Sequence, residues 1–101
     1  MKLLIIRFSS IGDIVLTTPV VRCLKEQHKD FEVHFLTKYQ FADVISNNPY
    51  IDKIHTYRKK EFSLLVESLA LENFDYIIDL HNNIRSLSII LRLCKPFYSV
   101  N

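Results

Sequence analysis

Two polar segments, far apart in the sequence, carry the residue types that can do chemistry. The first is Ser-Ser-Ile-Gly-Asp at residues 9–13, which follows a short apolar run and ends in Asp13. The second is Asp-Leu-His-Asn-Asn-Ile-Arg-Ser at residues 79–86, which also follows an apolar run. A carboxylate is one of the side chains that take part in general acid–base chemistry. The His, Arg and Ser side chains can hold a polar or anionic substrate.

A purely structural interpretation stays open for each segment. Asp13 has the type and position of a residue that caps the helix after it. Asp79 and Asn82 can fix a turn through their side chains, which would leave His81 and Arg85 facing water.

Gly12 is the only glycine in the sequence, whereas average usage would give about seven in a chain of this length. We therefore expect it to meet a backbone need, either a positive φ or the close approach of another group. The segment has neither the G-x-G-x-x-G nor the G-x-x-x-x-G-K-[ST] spacing, which argues against a dinucleotide loop and a P-loop.

The apolar pattern predicts strands that alternate with helices. Strands are expected over residues 3–6, 31–35, 51–57 and 74–80. In the second strand Glu32 and His34 alternate with apolar residues, which predicts one wetter face. Helical stripes are marked by Phe41, Val44 and Ile45, and by Phe62, Leu65, Val66 and Leu69. Residues 84–93 predict a buried helix, and residues 95–101 look like the opening of a fifth strand.

This order of elements predicts an α/β fold with a doubly wound, Rossmann-like parallel sheet of strand order 3-2-1-4-5. Strands 1 and 4 then lie side by side where the winding reverses, and ligands of such sheets bind beyond the carboxyl ends of the strands at that point. Both polar segments should therefore face one crevice, which favours the functional interpretation. Pro19 predicts a kink or a new helix start, with Thr18 as its cap.

Composition narrows the class of protein. With 101 residues, 49% of them hydrophobic, the chain fits one globular domain. A net charge of +2 does not suggest a nucleic-acid partner. The first apolar run stops at Arg7, too short for a signal peptide, so a cytoplasmic location is expected. Cys23 and Cys94 are expected to be buried free thiols, and no metal site is expected around them.

Residues 2–19, Lys-Leu-Leu-Ile-Ile-Arg-Phe-Ser-Ser-Ile-Gly-Asp-Ile-Val-Leu-Thr-Thr-Pro, resemble the N-terminal signature of glycosyltransferase family 9, the ADP-heptose:lipopolysaccharide heptosyltransferases. Asp79-Leu80-His81 and Arg85-Ser86 resemble a second motif of that family, and the resemblance extends in register over nearly the whole chain. Asn82 stands where the family commonly has glycine. Asn tolerates a left-handed backbone better than other side chains do, so the turn can survive.

The resemblance implies a GT-B enzyme with two Rossmann-like domains. Residues 1–101 would be the N-terminal, acceptor-side domain, without the C-terminal domain that holds the nucleotide-sugar. The implied partners are ADP-heptose, bound through the missing domain, and the lipopolysaccharide inner core, with contact at the inner face of the cytoplasmic membrane. No cofactor is implied. We expect this chain alone to have no transferase activity.

The same resemblance assigns Asp13 as the general base of an inverting transfer. It places the substrate-binding residues at Ser9, Ser10, Gly12, Arg58, Asp79, His81, Arg85 and Ser86. Arg58 belongs to a basic cluster with His55, Lys59 and Lys60. This cluster is either a solvated loop or a contact for an anionic acceptor.

A non-catalytic binding module is the alternative from another class. Signal-receiver domains share the fold but require clustered acidic residues, and no second acidic residue stands beside Asp13. A flavin-binding module would need a Ser/Thr-rich phosphate loop, which Ser9 and Ser10 supply only in part. A receiver would take up acetyl phosphate, and a flavin protein would be yellow.

Overall fold

The computed structural model describes residues 1–8, 10–81, 89, 93 and 97–99, with the backbone alone for the last three. In this part of the chain five strands form one sheet: β1 (Lys2–Ile6), β2 (Glu32–Lys38), β3 (Lys53–Tyr57), β4 (Tyr76–Asp79) and β5 (Phe97–Ser99). The helices described are α1 (Ile11–Leu16), α2 (Thr18–Gln27), α3 (Ala42–Ile45) and α4 (Phe62–Glu72). Single 3₁₀ turns, Tyr39–Phe41 and Lys59–Glu61, precede α3 and α4.

The strand order is β3-β2-β1-β4-β5, and every strand pair is parallel. The predicted α/β fold and strand order are therefore confirmed. Ile6 at the end of β1 lies between Leu36 of β2 and Asp79 of β4. The winding reverses between β1 and β4, so the loops after these two strands emerge next to each other.

Apolar side chains pack on both faces of the sheet. Each face has its own buried cluster, because successive residues of a strand point to opposite sides. On one face α4 covers β1, β2 and β4 through Leu4, Ile6, Phe8, Leu36, Leu65, Leu69, Phe74, Ile77, Ile89 and Leu93. On the other face α1, α2 and α3 enclose Ile5, Ile14, Val21, Val33, Phe35 and Ile45. The central strand β1 is thus buried on both sides, as its continuous apolar run predicts.

Both predicted helices are confirmed as α3 and α4, and α4 buries Leu65 and Leu69 of its stripe. The stripe of α3 is confirmed only at Ile45, because Val44 is exposed and Phe41 lies in the 3₁₀ turn before the helix. For the apolar segment 84–93, Ile89 and Leu93 are buried, while its other residues lie outside the described residues. Pro19 lies in the first turn of α2 and marks a new helix start, but the N-cap is Thr17, so the prediction of Thr18 as the cap was wrong.

Three further predictions were wrong. Glu32 and His34 do not make a wetter face, because His34 is buried where β1 and β3 flank it. Cys23 is exposed rather than buried, and Cys94 lies outside the described residues. The positive φ expected at Gly12 is absent, and a Cβ there would meet no protein atom within 4 Å; the close approach of a bound group stays a prediction. Within the described ranges, no helix is long and apolar enough to cross a membrane.

Candidate active site

The loop after β1 presents Asp13 at the start of α1. Ser10 has an extended backbone (φ −87°, ψ 178°) and is the N-cap of this helix. Asp13, three residues later, accepts hydrogen bonds at Oδ2 from the Ser10 hydroxyl at 2.9 Å and from the Ser10 amide at 3.4 Å. Asp13 therefore completes a capping box instead of being the cap itself. The interpretation of Asp13 as a helix-capping residue is therefore correct in part. The capping box leaves the Asp13 carboxylate at the surface.

Arg7 joins the two polar loops. Its Nη2 lies 2.9 Å from Asp13 Oδ2, and its Nη1 donates a hydrogen bond to the carbonyl oxygen of Leu80 at 2.5 Å. Only 23% of the Arg7 side chain is exposed. The prediction that the segments at residues 9–13 and 79–86 face one crevice is thus supported by a direct bridge between them. We did not predict Arg7 as a site residue. The feature of the sequence that could have indicated it is a cationic residue directly after an apolar strand.

The electrostatics keep Asp13 ionised. The Ser10 hydroxyl, followed by the Arg7 guanidinium, holds the pKa of the Asp13 carboxyl below its ordinary value. Half of this side chain is exposed. Within the described residues, the Ser10 and Arg7 contacts all fall on Oδ2, so Oδ1 is the oxygen available to an incoming hydroxyl.

The loop after β4 starts from a buried carboxylate. Asp79 is 2% exposed, and its Oδ1 accepts a hydrogen bond from the His81 amide at 2.9 Å. This contact agrees with the turn-fixing interpretation of Asp79. The His81 ring packs edge-on against Phe8 at 5.0 Å instead of facing water. Asn82, Arg85 and Ser86 of this loop, and Ser9 of the first loop, lie outside the described residues.

Arg58 lies apart from this pair of loops, after the edge strand β3. Its guanidinium stacks on the Tyr39 ring, 3.4 Å from the ring centroid, and 44% of the side chain is exposed. It borders a groove of about 240 Å³ that is lined by Lys38, Gln40, Tyr57, Arg58 and Lys59. Three cationic side chains at one groove suit an anionic ligand. We had expected His55 to belong to this basic surface. That prediction was wrong, because His55 is buried in β3.

Replacing Arg7 with Met is expected to raise the pKa of Asp13, because the guanidinium stabilises the ionised carboxylate. An NMR pH titration that follows the Ser10 amide would measure this shift. A folded-state pKa below the ordinary value means that Asp13 stabilises the fold at neutral pH, and that this contribution is lost as the pH falls. The variant should therefore lose less stability on acidification than the wild type does.

The control for this variant is Arg22→Met, which breaks an exposed ion pair with Glu26 on α2. It should leave the titration of Asp13 unchanged. An unaltered Asp13 pKa in the Arg7→Met protein would show that the bridge seen in the structure is not formed in solution.

The fold and the crevice define a doubly wound α/β domain with its ligand site beyond the ends of β1 and β4. The receiver-like alternative needs a cluster of carboxylates at this point, whereas Asp13 has a guanidinium as its neighbour.

No family model matches the chain. Curated relatives do match it. In an alignment 92 positions long, which covers 85% of the chain, it is 30% identical to Lipopolysaccharide heptosyltransferase 1 from Campylobacter coli. In an alignment 78 positions long, which covers 68% of the chain, it is 31% identical to Lipopolysaccharide heptosyltransferase 3 from Escherichia coli K12.

Solved structures share the fold. The glycosyl transferase family 9 protein from Veillonella parvula superposes with a TM-score of 0.87 over 97% of this chain, at 19% identity. The E. coli heptosyltransferase WaaC with ADP gives a TM-score of 0.85 over 100% of the chain, at 20% identity. The chain belongs to the heptosyltransferases of glycosyltransferase family 9. It spans 27% and 23% of the two curated relatives, and 32% and 35% of the two solved chains.

Proposed function

We propose that this chain is the acceptor-side part of an inverting heptosyltransferase, in which Asp13 is the general base for transfer from ADP-heptose to the lipopolysaccharide inner core. The observation that carries the proposal is the Arg7 bridge, which fixes an exposed, ionised Asp13 at the point where the strand order reverses. The names of the relatives, which are lipopolysaccharide heptosyltransferases, supply the substrate class.

The chemistry needs one proton acceptor. The oxygen of an acceptor hydroxyl attacks the anomeric carbon of the heptose, and its proton moves to Asp13 Oδ1 as the new C–O bond forms. The bond from that carbon to the diphosphate breaks on the opposite side, and ADP leaves with the electron pair. Because a diphosphate departs as an anion, no acid is required for this step. Ser10 and Arg7 hold Asp13 from the other oxygen and so orient Oδ1.

The proposal places the reaction in the cytoplasm, at the inner face of the cytoplasmic membrane. Its acceptor is a lipid-anchored saccharide with anionic groups, and the groove beside Arg58 offers cations to such groups. The two surfaces have separate roles in this proposal: the Asp13 crevice does the chemistry, and the Arg58 groove holds the acceptor.

Arg58→Met is expected to weaken binding of a phosphorylated inner-core oligosaccharide to this chain by about 10- to 100-fold, because it removes charge-assisted hydrogen bonds. Isothermal titration calorimetry on the 101-residue chain would measure the affinity. Lys29→Met, which removes an exposed cation after α2, is the matched control and should have little effect. A dephosphorylated acceptor should bind the wild type and Arg58→Met equally. If Arg58→Met weakened the binding of that ligand as much as the binding of the phosphorylated one, Arg58 would not contact the phosphate.

A chimera tests transfer itself. In it, residues 1–101 replace the matching part of Lipopolysaccharide heptosyltransferase 1 from Campylobacter coli, to which 85% of the chain aligns. The chimera is expected to transfer heptose from ADP-heptose to the inner-core acceptor, whereas residues 1–101 alone should give no turnover. A folded chimera that binds ADP-heptose but transfers nothing would contradict the proposed function.

A further inference from the structure

A buried polar cluster lies on the α4 face of the sheet, away from the Asp13 crevice. His34 of β2 and His55 of β3 are 1% and 7% exposed, and Glu72 ends α4 above them. His34 Nδ1 is 2.8 Å from His55 Nε2, and Glu72 Oε2 lies 4.0 Å and 3.9 Å from these two nitrogens. The three residues come from three different elements, so no sequence spacing reveals the cluster.

We propose that His34, His55 and Glu72 form a binding site for a divalent transition-metal ion, with Zn²⁺ as the best-suited ion. Two imidazole nitrogens and one carboxylate oxygen are a ligand set that zinc accepts, together with one water. Zinc ligands at about 2.0–2.2 Å in tetrahedral geometry lie roughly 3.4 Å from one another. The two nitrogens would need to separate by about 0.6 Å, and Glu72 would need to approach by about the same distance, to reach that geometry.

A further carboxylate sets the tautomer of His34. Its Nε2 is hydrogen-bonded to Glu32 Oε2 at 2.5 Å. An ionised carboxylate only accepts, so Nε2 carries the proton and Nδ1 presents its lone pair to the centre of the cluster. Histidines that bind metals in proteins characteristically donate their other N–H to a carboxylate in this way. The His34–Glu32 contact is therefore already the arrangement that a metal ligand needs.

The other two groups offer one ligand atom each, His55 Nε2 and Glu72 Oε2. His55 Nε2 donates the hydrogen bond that His34 Nδ1 accepts, so an ion bound here requires the His55 proton to move to the other ring nitrogen. The Glu72 carboxylate is paired with Lys53 at 2.6 Å and with Lys2 at 2.9 Å. Phe74 packs edge-on against both rings and fixes their planes, with ring centroids 5.0 Å and 6.1 Å away.

Lys53 would compete with a metal ion for the Glu72 carboxylate. Its Nζ lies 2.6 Å from Glu72 Oε2, the oxygen that faces the histidines, whereas Lys2 Nζ lies 2.9 Å from Oε1. The Lys53 side chain is 58% exposed and can turn into water when an ion takes its place, while Lys2 keeps holding Oε1. Removing Lys53 should therefore tighten metal binding, which a merely structural hydrogen-bond cluster would not do.

The site is independent of the proposed transfer reaction. His34 pairs in register with Leu4, in the middle of β1, whereas Asp79 pairs with Ile6 at its end. A bound ion would join β2, β3 and the end of α4. We therefore expect it to stabilise the folded domain and to leave the chemistry at Asp13 unchanged.

The test uses the untagged 101-residue chain with Cys23→Ser and Cys94→Ser, which removes thiols as rival ligands. Titration with Co²⁺ is expected to give the visible absorption of a four-coordinate ion at one equivalent, and Zn²⁺ should displace it. At a Zn²⁺ concentration about 100 times its Kd, Tm should rise by about 10 °C or more. EDTA should reverse the shift.

Three variants decide the assignment. His55→Gln should abolish the cobalt spectrum, and His28→Gln, which removes an exposed histidine, should leave it unchanged. Lys53→Met should bind Zn²⁺ about tenfold more tightly than its parent, because the ion no longer displaces an ammonium group. The Zn²⁺ affinity of Lys53→Met tests the proposed site even if His55→Gln does not fold. Absence of stoichiometric binding in both the parent and Lys53→Met, or a spectrum that survives in His55→Gln, would overturn the proposal.

Discussion

Asp13→Asn in the chimera is expected to lower kcat for heptose transfer by about 10²- to 10⁴-fold, the usual contribution of a general base. Asn has the shape of Asp and can still accept a hydrogen bond from Ser10, but it cannot take up the proton of the acceptor hydroxyl. KM for ADP-heptose and for the acceptor should change by no more than about threefold, because the lost interaction belongs to the transition state. Initial rates at saturating ADP-heptose would measure both parameters.

Asp30→Asn is the matched control for this substitution. Asp30 is exposed in the turn after α2, so its loss should leave kcat unchanged. If Asp13→Asn retained more than about a tenth of the parent's kcat, Asp13 would not be the base. Its role would then be the capping box alone, which predicts a loss of about 1 kcal/mol of stability and no specific loss of rate.

In the proposed role, the contacts of Asp13 would have opposing effects on catalysis. Arg7 and Ser10 fix the position of the carboxylate, but they also lower its pKa and therefore its basicity. A weak base remains effective when it lies within hydrogen-bond reach of the proton in the reactive geometry. We infer that position contributes more than basicity here, which is why an ion pair at the reacting group is compatible with the proposed role.

The fold was largely predictable from the sequence because its signals are local. The continuous apolar run of β1, the stripe of α4 and the alternation of strands and helices lead to the parallel sheet and its order. The order in turn locates the crevice, and the motif residues identify Asp13 within it. Each of these steps depends on neighbours in the sequence or on a general rule of chain topology.

The errors arose where a neighbour in space decides the outcome. His34 alternates like a surface residue, yet β3 and Glu72 cover it. Arg7 ends a strand like any solvated cation, and only the register between β1 and β4 brings it to Leu80. The scarcity of glycine suggested a special backbone at Gly12, whereas α1 simply begins one residue earlier. None of these facts can be read from the sequence pattern before the strands are paired.

Phe8→Ala is expected to lower the free energy of unfolding of this chain by about 3–5 kcal/mol, because it empties a fully buried aromatic site. Phe8 lies directly after Arg7, and its ring contacts Tyr57 at 5.2 Å and His81 at 5.0 Å. Phe8→Leu retains most of the apolar volume and loses mainly the ring contacts, which predicts a loss of about 1 kcal/mol. Urea denaturation followed by circular dichroism would measure both losses.

The comparison of the two variants separates support of the fold from support of the site. Phe31→Ala, which removes a half-buried ring stacked on His28 at 4.4 Å, is the control for a Phe that lies far from the crevice. Because the Phe8 ring lies against His81, Phe8→Leu should shift the His81 ring resonances and lower transfer by the chimera, whereas Phe31→Ala should do neither. A loss below about 1 kcal/mol in Phe8→Ala would mean that neighbouring side chains fill the cavity. In that case the loop after β4 would not depend on Phe8 for its position.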